Sequence, residues 1–158
     1  IAGSPPPIDL DLERALQQFL VAAAGRRLMK SAHDLSDGGL AVALAECCIG
    51  GPWATRTFGA TVDLNAHADT VSDEGWLFGE DGARALVSAD PADVMALQQL
   101  GAQYGIPCHY LGLVGEPGGD IEVTREQRRW AWSSTELRRI YQEALPRRMN
   151  NPNGSGKD

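Results

Sequence analysis

One seven-residue segment of the sequence concentrates side chains that could take part in chemistry. Residues 33–39 read His-Asp-Leu-Ser-Asp-Gly-Gly and supply an imidazole, two carboxylates, a hydroxyl and two glycines. His33 could act as a general base or a proton relay, and Asp34 or Asp37 could hold a metal ion or orient the imidazole. The candidate residues for a substrate or nucleotide pocket are His33, Asp34, Ser36, Asp37, Gly38 and Gly39.

This segment lies where a strand is expected to lead into a helix. Residues 28–32 are typical of a short strand, and residues 40–49 are apolar on nearly every side, which predicts a buried helix. The glycines allow a close backbone approach, and the N–H groups at the helix start could bind a phosphate. Ser36 or Asp37 could instead cap those N–H groups, and the turn would then need no ligand. The residue types alone leave both interpretations open.

Apolar spacing and turn residues predict the other elements. Helices are expected from Asp9 or Asp11 to Gly25, over 94–104, and after a capping box at 133–136. Strands are expected over 59–64, 83–89, 108–114 and 121–124. Residues 65–75 are expected to be irregular, and 76–82 to form a short apolar segment followed by a turn. Mixed helices and strands in this order predict an α+β fold, with a sheet covered by helices.

Charge and cysteine content narrow the class of protein. Among 158 residues, 21 acidic against 14 basic side chains give a net charge of −7, which argues against a general nucleic-acid or anionic-membrane binder. The sequence contains no apolar run long enough to span a bilayer. Three cysteines, two of them adjacent, form a poor disulfide framework and predict a reducing, cytoplasmic location, and no His/Cys cluster suggests a metal. Arg125, Arg128 and Arg129 are expected on a solvated face or against a partner subunit.

The segment from Ser31 to Glu46 resembles the signature of phosphoribosylformylglycinamidine synthase, in particular the C-terminal domain of the bacterial small type. Three further stretches resemble that family in the same order: Trp76–Glu80, Tyr104–Gly115 and Leu137–Met149. The resemblance covers about residues 5–149. It implies an α+β fold with an about four-stranded, mainly antiparallel sheet covered by helices, as in the aminoimidazole ribonucleotide synthase-like fold.

The family resemblance also implies an activity. Such enzymes use ATP and magnesium to convert formylglycinamide ribonucleotide to formylglycinamidine ribonucleotide in purine biosynthesis, with ammonia released from glutamine. The implied partners are upstream ATP-side domains, a sister C-terminal domain, a glutaminase subunit and a small bridging subunit. Because the family's nucleotide ligands and catalytic histidine lie mostly on the ATP-side domains, we expect no catalytic residue, metal or cofactor in this chain, and no activity from it alone.

The remaining expectations concern Glu80, Asp81 and the two ends of the chain. Glu80 and Asp81 follow the family's Leu-Phe-Gly-Glu segment and are weak candidates for substrate contact, because a carboxylate at Asp81, where the family often has Ser, would repel a phosphate. We expect a linker over 1–8, the synthase domain over 9–149 and a disordered tail over 150–158. The alternatives are a silent interface module, or a domain of an aminoimidazole ribonucleotide or selenophosphate synthase.

Overall fold

The computed structural model describes residues 8–51, 54–65 and 71–150, and the side chain of Asn150 is left out of the description. These residues form two compact units, and the chain passes from one unit to the other after Leu44, between the described residues 65 and 71, and after Leu111. The first unit comprises the described residues up to 44 and from 71 to 111, and the second comprises 45–65 and 112–150. The predicted linker over 1–8 and tail over 150–158 lie almost wholly outside the described residues and stay predictions.

The first unit is built on helix α1 (Leu10–Gly25), which the sequence predicted. Asp9 caps it, because one carboxylate oxygen accepts the backbone N–H groups of Asp11 and Leu12, both at 3.0 Å. The core of this unit joins the buried face of α1 to helix α4 (Val94–Gln103) and the residues after it. Its buried members are Leu16, Phe19, Ala23, Leu97, Leu100 and Ile106.

Two short strands of the first unit pair with each other. Strand β1 (Ser31–Asp34) runs antiparallel to β3 (Ala85–Ser88), with His33 opposite Leu86. The predicted strand over 28–32 overlaps β1 only at residues 31 and 32, because the pairing with β3 runs from Ser31 to Asp34. As a consequence, His33 and Asp34 belong to a strand and do not lie in the turn that follows.

Helix α2 (Gly39–Ile49) confirms the predicted buried helix. Leu40, Ala43, Leu44, Cys48 and Ile49 are all buried. The short helix α3 (Asp73–Phe78) was not predicted, because the polar residues 65–75 were expected to be irregular. Its start is explained by Ser72, whose hydroxyl accepts the N–H of Gly75 at 3.2 Å.

The second unit contains a four-stranded sheet in the order β4-β2-β5-β6. The strands are β2 (Phe58–Asp63), β4 (Gly112–Pro117), β5 (Asp120–Arg125) and β6 (Arg128–Ser133). The pairs β4–β2 and β5–β6 are antiparallel and β2–β5 is parallel, so the expected four-stranded sheet is confirmed and is mixed in direction. One side of β5 is buried through Ile121, Val123 and Arg125.

Two arginines of the basic cluster that the sequence indicated, Arg128 and Arg129, belong to strand β6. Its turn from β5 uses Glu126 at a positive φ of 54°, without the glycine that usually marks such a turn. Arg125 is buried at the end of β5, so the solvated face expected for it was wrong, whereas Arg129 forms a 2.5 Å ion pair with Glu122 across the two strands.

Helix α5 (Ser134–Asn150) follows directly from β6. The Ser133 hydroxyl accepts the N–H of Glu136 at 3.4 Å, as the predicted capping box requires. The buried Ser134 hydroxyl lies 2.6 Å from the Gly119 carbonyl oxygen and fixes the first turn of the helix. Among the helices of the described residues, none combines the length and the apolarity needed to cross a membrane.

Candidate functional site

The predicted site residues occupy the connection from β1 to α2. His33 and Asp34 end β1, and the Leu35 N–H then donates to the Arg84 carbonyl oxygen at 3.2 Å. The Gly39 N–H donates to the Ser36 carbonyl oxygen at 3.1 Å, which closes the turn. The connection is therefore a defined turn whose first half is attached to β3 through Arg84.

Gly39 allows this turn to touch another segment of the chain directly. Gly39 has a φ of +62°, and a Cβ placed on it would lie 2.7 Å from the Gly79 carbonyl oxygen and 2.8 Å from the Phe78 carbonyl carbon. Both are backbone atoms, which cannot rotate away, so only glycine fits at this position. Residues 33–39 and 78–84, which overlap two of the four stretches that resemble the family, thus pack backbone against backbone. We call them together the glycine junction.

Glu80 completes the contact between these segments. Its Oε1 accepts the backbone N–H of Gly38 at 2.8 Å. A residue 42 positions further along the chain therefore accepts this N–H, and capping of the following N–H groups by Ser36 or Asp37 stays a prediction. A negative side chain next to the start of a helix is favourable because the helix dipole is positive there. A phosphate could bind the Gly38 N–H only by displacing Glu80.

The loop that carries Glu80 is itself held from two sides. Arg84 donates from Nη2 to the Gly79 carbonyl oxygen at 2.5 Å and from Nε to the Asp81 carbonyl oxygen at 3.3 Å. From α1, Glu13 Oε1 accepts the N–H of Ala83 at 2.6 Å, and Ala83 has a positive φ of 53°. The side chains of Arg84 and Glu13 thus hold the backbone of the loop that positions the Glu80 carboxylate.

The imidazole of His33 is oriented by its neighbour. His33 Nδ1 lies 2.7 Å from the Asp34 carbonyl oxygen and 3.6 Å from the Asp34 carboxylate. In the neutral ring this carbonyl selects the tautomer with the proton on Nδ1, because a carbonyl oxygen can only accept. The side chain of His33 is about a third exposed, at 29%, whereas that of Asp34 is 77% exposed.

A cleft of about 430 Å³ lies beside β1 in the first unit. His33 and Asp34 line it, together with Glu13, Gln17 and Arg84, which the sequence did not single out as candidates. Apolar side chains of α1 and β3 complete the wall: Leu16, Leu20 and Ala85. The remaining predicted residues, which do not line this cleft, are Ser36, Asp37, Gly38, Gly39, Glu80 and Asp81.

The polar groups that line the cleft are already partly engaged. Two carboxylates and one guanidinium line it, and that guanidinium already donates to two carbonyl oxygens of the 79–81 loop. Carboxylates accept hydrogen bonds, so the cleft suits a ligand with N–H or O–H donors better than a bare phosphate. Two of its three new polar residues, Glu13 and Gln17, lie one helical turn apart on α1, and this spacing is the one signal by which the sequence could have indicated them.

Metal and thiol chemistry receive little support from the described residues. Within 8–51, 54–65 and 71–150, no three His, Cys, Asp or Glu side chains are grouped so that they could hold a metal ion. Cys47, Cys48 and Cys108 are free thiols. Burial raises the pKa of Cys48 to about 11, and the pKa values of Cys47 and Cys108 are also raised by burial. These cysteines are therefore poor nucleophiles at neutral pH.

Comparison with known proteins adds a family and a set of relatives. The family described as AIR synthase related protein, C-terminal domain, matches residues 2–124. Phosphoribosylformylglycinamidine synthase subunit PurL of Thermobifida fusca (strain YX) is 43% identical over 151 residues, which are 96% of this chain and 18% of that protein. The protein of the same name from Parasynechococcus marenigrum (strain WH8102) is 38% identical over 149 residues, which are 94% of this chain and 18% of that protein.

Solved structures agree on the fold. The structure of PurLQS from Thermotoga maritima matches with a TM-score of 0.72 at 19% identity, over 85% of this chain and 23% of that chain. Thermotoga maritima PurL complexed with ATP matches with a TM-score of 0.70 at 19% identity, over 83% of this chain and 22% of that chain. The chain thus has the fold of part of these proteins and spans about a fifth of the length of its relatives.

Proposed function

Because the chain belongs to the family of AIR synthase related proteins and matches their C-terminal domain, we propose that it is the C-terminal domain of a phosphoribosylformylglycinamidine synthase subunit. The proposed reaction of the whole enzyme converts formylglycinamide ribonucleotide to formylglycinamidine ribonucleotide, with ATP and with ammonia from glutamine. Identities of 36–43% over more than nine-tenths of the chain support this assignment.

The observation that carries the proposal is the glycine junction. Two segments that resemble the synthase family separately in sequence are in direct contact, through Gly39 against Gly79 and through Glu80 to the Gly38 N–H. A contact of this kind between two family segments is expected when both serve one local geometry, namely the placement of β1 and its His33 relative to α2. We propose that this geometry, more than any single side chain, is the contribution of the domain.

The described residues do not fit a site for ATP and magnesium. The cleft presents the carboxylates of Glu13 and Asp34, and its Arg84 is already bonded to backbone carbonyls. The Gly38 N–H, just before the helix start, is already bonded to Glu80. We therefore assign ATP and magnesium to parts of the enzyme outside this chain, and we derive no step of the reaction through them here.

The proposed partners follow from the same assignment. They are the upstream ATP-side domains, a sister C-terminal domain, a glutaminase subunit and a small bridging subunit. Free cysteines agree with a reducing compartment, and we propose the cytoplasm. Nucleic acid and membrane surfaces are not proposed as partners, because a net charge of −7 disfavours binding to either.

A second candidate role is supported by one contact. Since Glu80 accepts the Gly38 N–H, the helix start could serve only to shape an interface between domains. In that case His33 and Asp37 would contribute nothing to turnover beyond stability.

An amidation assay separates the two roles. The full-length polypeptide that carries this chain is supplied with formylglycinamide ribonucleotide, ATP, magnesium and ammonium, and product is measured for wild type, His33→Ala, Asp37→Ala and the control Asp120→Ala, an exposed position of the second unit. The site role predicts that His33→Ala lowers kcat/KM about tenfold or more while Asp120→Ala does not. Equal activities would leave the interface role, and no product from wild type would contradict the assignment itself.

A further inference from the structure

The sequence contains two Asp-Gly dipeptides, and both belong to the glycine junction. They are Asp37-Gly38, just before α2, and Asp81-Gly82, in the loop that carries Glu80. Both aspartates are exposed, and neither dipeptide lies within a helix or a strand. A glycine has no Cβ to hinder the approach of its own nitrogen to the preceding aspartate side chain. The two dipeptides therefore have the same intrinsic chemistry, and their surroundings decide which of them reacts.

The chemistry open to an Asp-Gly dipeptide is isomerisation of the aspartate. The glycine nitrogen loses its proton and attacks the side-chain carboxyl carbon, so that a C–N bond forms and a C–O bond breaks. The proton and the carboxyl hydroxyl leave as one water, and a cyclic imide remains. A water molecule then adds back and opens the ring on the main-chain side, which yields isoaspartate. The net change is a rearrangement, and solvent water is the only co-reactant.

The surroundings of the Asp81-Gly82 peptide bond favour this reaction. Arg84 Nε donates to the Asp81 carbonyl oxygen at 3.3 Å. A guanidinium at this oxygen stabilises the negative charge that spreads onto it when the Gly82 nitrogen loses its proton. Within the described parts of the chain the Gly82 N–H makes no hydrogen bond, whereas the next N–H, that of Ala83, donates to Glu13 at 2.6 Å. The attacking nitrogen is therefore both exposed and electrostatically favoured.

The surroundings of the Asp37-Gly38 peptide bond oppose the same reaction. The Gly38 N–H donates to Glu80 Oε1 at 2.8 Å, and Gly38 is half-buried. To attack Asp37 the nitrogen would have to give up this hydrogen bond, and its deprotonated form would lie beside a negative carboxylate. The contact that joins the two segments of the junction therefore also protects Asp37.

We propose that Asp81 is a site of isoaspartate formation and that Glu80 protects Asp37 from the same modification. Isoaspartate adds one carbon to the main chain between Glu80 and Ala83, and both of these residues are bonded to other segments. The modification therefore changes the spacing between two fixed points of the loop. It does not depend on which reaction the enzyme catalyses, so the proposal goes beyond the proposed function.

Peptide-resolved mass spectrometry on the full-length polypeptide, aged at neutral pH, tests the assignment. Electron-transfer fragmentation locates isoaspartate, and site resolution is needed because Asn153-Gly154 also forms isoaspartate. The initial rate at Asp81 is expected to exceed that at Asp37 by about tenfold or more. In urea, where the surroundings are lost, the two rates should agree within about twofold.

Gly82→Ala is the variant that blocks the attacking nitrogen. It should slow the modification of Asp81 about tenfold, because the new methyl group hinders the ring closure. The variant is expected to fold, since its Cβ would meet only the end of the flexible Glu13 side chain, at 2.9 Å. The rate at Asp37 should not change in this variant, which makes Asp37 its internal reference.

Two Glu80 variants test the protection of Asp37. Glu80→Ala removes the acceptor of the Gly38 N–H and should raise the rate at Asp37 about fivefold. Glu80→Gln keeps an oxygen acceptor without the charge and should raise it only about twofold, and it replaces Glu80→Ala if melting curves show that Glu80→Ala is unfolded. Absence of isoaspartate at Asp81 in the folded wild type, or equal rates at the two sites, would overturn the assignment of Asp81. An unchanged rate at Asp37 in the folded variants would overturn the protective role of Glu80.

Discussion

The glycine junction and the second half of α5 are held by opposite means. In the junction, backbone atoms of 33–39 and 78–84 are in contact, and side chains from three separate positions, Glu13, Glu80 and Arg84, bond to backbone groups. In the second half of α5, charged side chains pair with neighbours on the same helix, and the large apolar side chains Tyr141, Leu145 and Met149 are in solvent.

This difference separates a part of the domain whose geometry is fixed by backbone contacts from a part held only by exposed ion pairs. Backbone contacts through glycine tolerate almost no displacement, because no atom can rotate away. Surface ion pairs on a helix contribute little and are screened by salt. The junction therefore has a fixed geometry, whereas the second half of α5 is held only by pairs within the helix.

The largest effect is expected from Gly39→Ala. The new Cβ would meet the Gly79 oxygen and the Phe78 carbon in a residue already at positive φ, so the free energy of unfolding should fall by about 4 kcal/mol. Gly105→Ala is the control, since Gly105 has a φ of +69° but nothing within 4 Å of its Cβ position, and it should cost about 1 kcal/mol. Urea denaturation measures both. Equal losses would show that the close approach does not exist.

A smaller effect is expected from Arg84→Lys. The lysine keeps the charge but cannot donate to the Gly79 and Asp81 carbonyl oxygens together, so the free energy of unfolding should fall by about 1.5 kcal/mol. Arg129→Lys, on an exposed ion pair with Glu122, is the matched replacement and should change the same quantity by less than about 0.5 kcal/mol. If both variants unfold alike, the loop is not held by its arginine.

Glu80→Ala should cost about 1 kcal/mol, because one charge-assisted hydrogen bond at an exposed position is lost. The neighbouring Asp81→Ala should be close to neutral, since the hydrogen bond described for Asp81 uses its backbone carbonyl, which alanine keeps. Thermal melts of the two variants make the comparison. An equal or greater loss from Asp81→Ala would remove Glu80 from the junction.

The smallest effect is expected in α5 and depends on pH. Because Arg139 lowers the pKa of Glu136 below its ordinary 4.5, this pair stabilises the folded chain above that pH and ceases to do so as the pH falls through the lowered pKa. The acid-induced drop in melting temperature should be slightly smaller in Glu136→Gln than in wild type, and about 1 M salt should abolish the difference. A difference that persists in salt would mean that the pair is shielded from solvent.

The sequence was sufficient where local spacing determines structure. The apolar positions of α1 and its cap at Asp9, the buried run of α2, and the capping serine of α5 could all be predicted, because each depends on residues within a turn or two. The candidate site segment was singled out by its residue types and then by its resemblance to a family, and its role stays a prediction.

The missed features depend on conformations or contacts that spacing does not encode. Strand β1 is displaced from its predicted range because its bounds depend on pairing with the distant β3, and β6 was overlooked because its turn uses Glu126 where a glycine is usual. The bonds of Glu80 to Gly38 and of Glu13 to Ala83 join residues 42 and 70 positions apart. No periodicity of the sequence indicates such pairs, and only the folded chain brings them together.

The central claim is that the glycine junction serves the amidation reaction and not stability alone. Its most direct test is the kcat/KM for formylglycinamide ribonucleotide in the full-length polypeptide, measured for Gly39→Ala and Gly105→Ala at a temperature where both remain folded. A displaced junction should lower kcat/KM about 100-fold in Gly39→Ala and leave Gly105→Ala near wild type. Wild-type kcat/KM in a folded Gly39→Ala protein would contradict the claim.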